Sequence, residues 1–278
     1  MPYPFSCADF TFPLLSHGNV LKLIAMMGIG AVDIGFLQDR SHIQPSHVAK
    51  DPYGEGKKLH AMLENEGLVA ADVFLQSALD FTSLALNQVN DESRKKARED
   101  FLCALKFARG CGSKHITCLP GVLFAEDRGN ASLDRAQAEL AWRVADAAEY
   151  GIVLGVEAHR GSIADTPARA KALVEAVPGL SLTLDYSHFI RGGFGQAEID
   201  PLLAHSRHFH ARGASPQMMQ TPLKESAIDF ARVVECMHST GYQGYITLEY
   251  VYEDWEDNFR VDTVSETILL KRLIENAF

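Results

Sequence analysis

Four predicted strands in the second half of the chain each end in a side chain that can bind a divalent cation. The apolar run of IVLGVEAHRGS ends at Glu157, that of LSLTLDYSH at Asp185 and that of YITLEYVYED at Glu249, and RHFHARG supplies His208, His210 and Arg212 at its strand. If these strands are parallel neighbours about 4.8 Å apart, their carboxyl ends meet at one edge of the sheet. Three carboxylates and one imidazole there suit Mg²⁺, Mn²⁺ or Co²⁺, with Zn²⁺ as a further candidate. The sequence therefore predicts one divalent metal ion bound by these four residues.

Repulsion among the acidic groups supports the same prediction. A single Glu at a strand end is usually a solvated surface group. Three carboxylates pointing into one crevice repel each other strongly, unless a cation or protons lie between them. We therefore expect Glu157, Asp185 and Glu249 to act together with a metal ion.

Other polar residues follow the same strands and are candidates for substrate contacts. His159 lies two residues beyond Glu157 and shares its face by strand alternation, so it could be a base, a substrate donor or a loop-ordering group. His188 is predicted to contact substrate, and Arg212 either to hold a substrate oxygen or to pair with a ligand carboxylate. His208, deeper in the sheet, is interpreted as a structural histidine. The polar residues of other loops that we interpret as structural are His17, His42 and Asn87.

Eight short apolar runs alternate with amphipathic helical patterns, and this alternation must position the site. About 35 residues per repeat suits a strand with its crossover helix. Thr166-Pro167 and Ser226 are predicted to begin two of the helices. The pattern predicts a (β/α)8 TIM barrel forming a single domain over residues 1–278, with the active site at the carboxyl ends of its strands. The predicted strands are residues 7–13, 31–37, 69–76, 115–119, 152–157, 181–185, 208–211 and 245–249.

An open doubly wound sheet is the alternative architecture. Such sheets usually carry a glycine-rich phosphate turn after the first strand, whereas the segment here reads FPLLSHG. The least regular stretch, residues 80–91, would lie at the top of a barrel and could act as a lid.

Composition restricts the class of partner and the compartment. The chain has 278 residues with 36 Asp and Glu against 26 Lys and Arg, a net charge of −10, which argues against nucleic acid as a partner. The longest uncharged stretch, residues 236–248, is too polar to cross a membrane. Five cysteines without a C-x-x-C pair, and an N-terminus lacking a secretory leader, predict a cytoplasmic location. A small molecule is the expected partner, and a homo-oligomer is left open.

The strings VEAHRGS, LDYSHF, HFHARGA and ITLEY resemble those of the xylose-isomerase-like barrel superfamily of sugar and sugar-phosphate isomerases and epimerases. That superfamily also includes endonuclease IV-type nucleases, inosose dehydratases and 3-dehydroshikimate dehydratases, and the resemblance covers nearly the whole chain. It implies that the metal ligands are Glu157, Asp185, His210 and Glu249. It also implies that Glu157 and Glu249 form the acid/base pair and that His188 and Arg212 contact substrate.

Two segments depart from the family pattern. Many members have a Pro-Gly-Arg turn whose Arg grips substrate oxygens, whereas residues 215–220 read SPQMMQ, with Met218 in the place of the Arg. This departure disfavours a phosphorylated substrate. Sugar epimerases often carry a second Glu soon after the strand-five ligand, whereas here RGSI follows. The E-x-H of Glu157 and His159 is instead similar to the dehydratase branch.

We expect a metal-dependent isomerase or epimerase acting on a small polyhydroxylated carbonyl compound through an enediolate. Glu157 and Glu249 would remove and return the proton. The alternatives are a metal-dependent dehydratase of the inosose or 3-dehydroshikimate type, an endonuclease IV-type phosphodiesterase and a non-catalytic sugar-binding protein. The phosphodiesterase would need further His ligands, where the earlier strand ends offer Gln38, Gln76 and Pro120.

Overall fold

Eight parallel strands close into a barrel in the computed structural model, which describes residues 3–278. Each strand pairs with the next in sequence, and the last pairs with the first. The predicted (β/α)8 barrel is therefore confirmed, and the open sheet is excluded. The strands are β1 (Phe5–Ala8), β2 (Ala31–Leu37), β3 (Val69–Gln76), β4 (His115–Cys118), β5 (Val153–Glu157), β6 (Ser181–Asp185), β7 (Ser206–Ala211) and β8 (Ile246–Leu248).

Helices cover the outside of the barrel and pack apolar faces against the strands. Thr166 caps α6 as predicted, since its side chain accepts a hydrogen bond from the Arg169 amide. The predicted start at Ser226 is wrong, because Asp229 supplies the cap of α9. The helices are α1 (His17–Met26), α2 (Pro45–Val48), α3 (Pro52–Asn65), α4 (Asp91–Cys111), α5 (Ala131–Glu149), α6 (Pro167–Ala176), α7 (Tyr186–Arg191), α8 (Gln196–Ile199), α9 (Phe230–Thr240) and α10 (Thr263–Glu275). Within residues 3–278, no helix is long and apolar enough to cross a membrane.

The first strand ends earlier than the apolar run at residues 7–13 predicted. After Ala8 the chain turns into a 3-10 segment, Asp9–Thr11, and the Asp9 carboxylate accepts a hydrogen bond from the Gly35 amide of β2. A Cβ at position 35 would lie 2.7 Å from the Phe10 ring, so the close approach of this turn requires glycine. The turn carries Phe10 to the mouth of the barrel.

The barrel interior contains a polar layer where such barrels usually have branched apolar side chains. Asp33 of β2 and Asp72 of β3 are partners in the strand register, and both are fully buried. A Cβ at Gly155 would lie 2.7 Å from the His115 ring, so this glycine provides the space for His115. The layer lies beneath the carboxyl ends of the strands and supports the groups there.

Candidate active site

The four side chains predicted as metal ligands lie together at the carboxyl end of the barrel, and all are buried. Glu157 and Asp185 end β5 and β6, His210 lies near the end of β7, and Glu249 follows β8. Nδ1 of His210 lies 2.8 Å from Oε1 of Glu157 and 3.3 Å from Oε2 of Glu249. Asp185 is the register partner of His210 and brings an oxygen within 4.8 Å of one of Glu157. Glu157 thus joins all four into one cluster.

The charges and hydrogen bonds of this cluster suit a bound cation. Burial, with added repulsion from the Glu249 and Asp185 carboxylates, raises the pKa of Glu157 to about 7, although His210 acts in the opposite direction. Burial lowers the pKa of His210, but the surrounding carboxylates outweigh it and hold this pKa well above its ordinary value. Oε2 of Glu249 is buried and has no hydrogen-bond partner among residues 3–278. Because the donor set is rich in carboxylate and one of its buried oxygens is unpaired, it fits a divalent metal ion.

Arg212 and His188 lie beside Asp185 and line the cavity above it. Arg212 donates a hydrogen bond from Nη2 to Oδ2 of Asp185 at 2.7 Å and another from Nε to Oγ of Ser187 at 3.0 Å. Nε2 of His188 lies 3.7 Å from Asp185 Oδ2 and 3.8 Å from Glu157 Oε2. Burial keeps the pKa of His188 well below its ordinary value, despite the Asp185 charge. The sequence left two roles open for Arg212, and its position is compatible with both. It pairs with Asp185, a candidate metal ligand, and it faces the cavity.

His159 lies on the same wall and faces the cavity as a neutral imidazole. Its Nδ1 lies 2.9 Å from the Arg160 carbonyl oxygen, so this nitrogen carries the proton and donates it. Its Nε2 is buried and finds no hydrogen-bond partner in the described chain, residues 3–278. Burial lowers the pKa of His159, which keeps Nε2 available as an acceptor. The ring packs against Phe81 at a centroid distance of 4.5 Å.

A cavity of about 490 Å³ opens above the cluster and has a polar floor and a largely apolar wall. Its size is within the range of pockets that hold small molecules. The floor is formed by Glu157, Glu249, His159, His188 and Arg212. The apolar side chains of the wall are Phe10, Pro13, Leu37, Phe74, Leu79, Phe81, Leu119, Val251 and Trp255.

A short segment after β8, the 3-10 turn Trp255–Arg260, extends over the cavity and was not anticipated from the sequence. Glu256 and Asp257 adopt left-handed backbone conformations, with φ of 55° and 58°, which are unfavourable for these side chains. Glu256 accepts hydrogen bonds from Arg160 at 2.5 Å and from Arg191 at 3.1 Å. These two pairs hold the turn in place, and Trp255 meets Phe81 edge to face at 6.3 Å. Phe81 belongs to residues 80–91, the stretch predicted as a lid.

The polar layer under the cluster contains functional candidates that the sequence reading missed. His208, predicted to be structural, lies with Nε2 2.5 Å from Asp33 Oδ2, and the same oxygen accepts a hydrogen bond from Thr247 at 2.8 Å. Nε2 of His210 lies 3.4 Å from that Asp33 oxygen. Asp33 and Asp72 are each an Asp within an apolar strand, which is the signal that could have identified them. Each of the three loop residues predicted to be structural has a partner in the protein. His17 contacts Asp9, and His42 contacts the Leu15 carbonyl oxygen. Asn87 contacts the backbone of Val122 and Ser132.

Comparison with known proteins gives a family and several relatives. The family model described as xylose isomerase-like TIM barrel matches residues 21–268. SgbU of Escherichia coli (strain K12), provisionally named an L-ribulose-5-phosphate 3-epimerase, is 24% identical over 192 residues. That match covers 66% of this chain and 65% of SgbU, so the chain spans just under two thirds of this relative's length.

Solved structures share the fold over nearly their whole length. A D-allulose 3-epimerase from Methylomonas sp., in complex with D-allulose, superposes with a TM-score of 0.77 at 16% identity, covering 100% of this chain and 98% of that one. A xylose isomerase-like TIM barrel protein from Mycobacterium smegmatis, in complex with magnesium, gives a TM-score of 0.73 at 14% identity, covering 99% and 97%. At these identities the similarity establishes the fold and leaves the activity to the site itself.

Proposed function

Because this chain belongs to the xylose isomerase-like TIM barrel family, we propose that it is a divalent-metal-dependent isomerase or epimerase of a small polyhydroxylated carbonyl compound. The observation that carries the proposal is the pair of buried carboxylates, Glu157 and Glu249, on either side of His210 on the floor of the cavity. Two carboxylates facing one bound substrate can remove a proton on one side and return it on another. The epimerase names among the relatives favour this chemistry.

Glu157, Asp185, His210 and Glu249 would hold the metal ion, which we propose to be Mg²⁺, Mn²⁺, Co²⁺ or Zn²⁺. When bound, the ion supplies Lewis acidity towards substrate oxygens next to the carbon that loses its proton. The unpaired Glu249 oxygen and the carboxylate-rich donor set support the assignment, as does the magnesium in the Mycobacterium smegmatis relative. The ring of His210 would serve through Nδ1, which faces the carboxylates.

The proton transfer belongs to Glu157 and Glu249. One of the two groups, as the carboxylate, removes the proton next to the carbonyl group, and the other, as the carboxylic acid, delivers a proton to the adjacent carbon or to the opposite face. Arg212 and His188 would donate hydrogen bonds to substrate oxygens and hold the reacting carbon between the two carboxylates. The cover formed by Phe81 and Trp255 would exclude water from the carbanion-like intermediate.

A dehydratase is the second candidate, and the geometry of His159 is the observation that favours it. Its Nε2 is an acceptor at the cavity without a hydrogen-bond partner within residues 3–278. In an elimination, this imidazole would remove the proton and return it to the departing β-hydroxyl, which leaves as water. The two reactions differ in the mass of the product, which separates them without reference to the residues involved.

The experiment is a solvent-exchange screen of the metal-loaded protein in deuterium oxide with free ketoses, ketose phosphates, inososes and 3-dehydroshikimate. We expect an isomer that carries deuterium at the reacting carbon and is otherwise equal in mass to the substrate. A product lighter by one water would identify the dehydratase. Elemental analysis should find about one metal ion per chain and its loss in Asp185→Ala. The control is Asp134→Ala, which removes an exposed carboxylate of α5. Unchanged metal content in Asp185→Ala would contradict the ligand assignment.

We also propose that the protein acts in the cytoplasm on a small molecule, without nucleic acid or membrane partners. All five cysteines are free thiols, including the buried Cys7, Cys111 and Cys118, which suits a reducing compartment. The net charge of −10 supports the exclusion of nucleic acid. A homo-oligomer is compatible with the exposed apolar side chains outside the cavity.

A further inference from the structure

We propose that the cavity selects an uncharged polyhydroxy compound and discriminates against its phosphorylated or carboxylated relatives. The inference rests on the proposed function, because it names the substrate class of the same site. It departs from the name of the relative SgbU, which specifies a sugar phosphate.

The positive charges that line the cavity are already neutralised by the protein itself. Two guanidinium groups, those of Arg40 and Arg212, are part of the lining. Arg212 donates to the buried Asp185 at 2.7 Å, and Arg40 forms an ion pair with Glu253 at the rim. A phosphate or carboxylate on the substrate would have to compete with these built-in carboxylates for each arginine. Strong anion sites present guanidinium or ammonium groups whose donors are free to take the ligand.

Negative charge predominates in the lining. Five acidic residues line the cavity against the two arginines, and they are Asp80, Glu157, Glu249, Glu253 and Asp254. A divalent cation on the floor would be held by three carboxylates and would leave no surplus positive charge. Like charges in a partly desolvated cavity disfavour each other, so this lining lowers the affinity of an anionic substrate.

The other cations near the mouth do not provide an anion site. Arg160 and Arg191 are not among the residues that line the cavity, and both donate to Glu256 of the covering turn. His188 lies between the carboxylates of Asp185 and Glu157, so these two groups would neutralise the positive charge of the ring even if it were protonated. Met218, at the position where the family pattern has an arginine, has no side-chain donor for a phosphate.

The remaining wall matches a neutral sugar-like ring. The hydroxyl groups of a polyol would meet Arg212, His188 and His159 on the floor. The C–H faces of the ring would pack on the aromatic side chains of Phe81 and Trp255, which lie edge to face at 6.3 Å. A cavity with a few convergent polar groups and an apolar wall suits such an amphipathic ligand. Within the dehydratase alternative, the same reasoning favours an inosose over the anionic 3-dehydroshikimate.

The test compares two unreactive ligands by isothermal titration calorimetry on the protein saturated with Mg²⁺: ribitol and ribitol 5-phosphate. We expect ribitol to bind at least about tenfold more tightly. Glu253→Gln should release Arg40 and improve the binding of ribitol 5-phosphate at least about fivefold, with little effect on ribitol. The matched control is Glu64→Gln, which removes the same charge from the exposed face of α3 and should change neither affinity.

Tighter binding of the phosphate ester to the wild-type protein would overturn the inference, as would failure of both polyols to bind. A further measurement separates this inference from the proposed reaction. If ribitol binds as expected but free ketoses show no deuterium exchange in the screen above, the isomerase proposal fails while the selection of an uncharged ligand stands. If exchange occurs with ketose phosphates and not with free ketoses, the reaction class stands and the inference fails.

Discussion

Asp33 lies directly beneath His210, with its Oδ2 atom 3.4 Å from Nε2 of the imidazole, while Nδ1 of the same ring lies 2.8 Å from Glu157. The carboxylate thus faces one ring nitrogen and leaves the other directed at the candidate metal site. At this distance Nε2 forms no hydrogen bond within residues 3–278, but Asp33 is the carboxylate placed to accept one. Carboxylates that accept a hydrogen bond from a metal-binding histidine fix its tautomer and ring orientation. Asp33 is itself held by His208 and Thr247, and although burial raises its pKa, His208 and His210 together keep this pKa below its ordinary range.

We therefore expect Asp33→Asn to weaken Mg²⁺ or Mn²⁺ binding by about 10- to 100-fold, although residue 33 is not a ligand. Equilibrium dialysis of the folded variant measures this affinity directly. Asp72→Asn is the matched control, because Asp72 is the register partner of Asp33, is equally buried, and bonds to His115 instead of His210. An equal loss of affinity in both variants would show that the effect is general destabilisation of the polar layer.

Metal affinity should rise with pH in the range from about 5 to 7. Metal binding requires Glu157 as a carboxylate, and the raised pKa of about 7 means that the metal-free site holds a proton there at lower pH. We expect the association constant for Mg²⁺ to increase by about tenfold or more per pH unit in this window and to keep rising above it, because His210, whose pKa is held well above its ordinary value, must also lose its proton to bind the ion. A constant affinity across the window, measured by calorimetry in buffers of different ionisation enthalpy, would contradict the proton release.

The stability of the metal-free protein should change in the opposite direction. The folded-state pKa of Glu157 lies above its ordinary value of 4.5, so its contribution to the free energy of unfolding is fully present below that value. The contribution is lost as the pH rises through about 7, and His210, whose pKa is also raised, acts in the same sense. Denaturant unfolding of metal-free protein at pH 5 and pH 8 should show this loss, and Glu157→Gln should reduce the difference.

His159→Ala tests which group removes the proton. If Glu157 and Glu249 perform the transfer, the variant should raise KM and leave kcat within about tenfold of the wild type. If His159 is the base of an elimination, kcat should fall by about 10²- to 10⁴-fold. His159→Gln is a useful companion, because an amide can still donate to the Arg160 carbonyl oxygen as Nδ1 does but cannot act as a base. Recovery of kcat in His159→Gln would support a positioning role.

Glu249→Gln should abolish turnover in a preparation that still contains metal, because the second carboxylate of the proton transfer is lost. Metal content by elemental analysis and kcat are measured on the same sample. A turnover near that of the wild type would exclude the two-carboxylate mechanism.

The sequence was sufficient to predict the barrel and the residues that end its strands, because both depend on local pattern. Alternation of apolar runs with amphipathic helices predicts the barrel, and Glu157, Asp185 and Glu249 stand where those runs end. Contacts between distant segments do not follow from local pattern and could not be predicted. Asp33 lies 175 positions before His208, its partner at 2.5 Å, and no local spacing connects the two. A buried Asp in an apolar strand signals a partner somewhere in the fold without identifying it.

The 3-10 turn Trp255–Arg260, which covers the cavity, also depends on contacts between distant segments and so could not be predicted from the sequence. Glu256 is in an acidic stretch, EDWED, which on its own is typical of a solvated loop. Only the folded barrel brings Arg160 from the loop after β5 and Arg191 from the end of α7 to the same carboxylate. The left-handed conformation of Glu256 is maintained by these partners, since a non-glycine residue with φ of 55° is otherwise unfavourable.

Glu256→Gln should therefore loosen the cover of the cavity and weaken substrate binding. Each partly exposed ion pair contributes about 0.2–1 kcal/mol, so losing the charge on both pairs, about 0.4–2 kcal/mol, should raise KM by roughly twofold to thirtyfold. Because Glu256 does not line the cavity floor, kcat should stay within about twofold, which separates a covering role from a catalytic one. Asp257→Asn is the matched control: it changes the neighbouring left-handed residue, whose ion pair is with the exposed Arg260 in the same turn. Steady-state kinetics on both variants measures these changes. An equal rise of KM in Asp257→Asn would contradict the prediction, because the turn would then respond to any loss of charge and not to the loss of the ion pairs with Arg160 and Arg191.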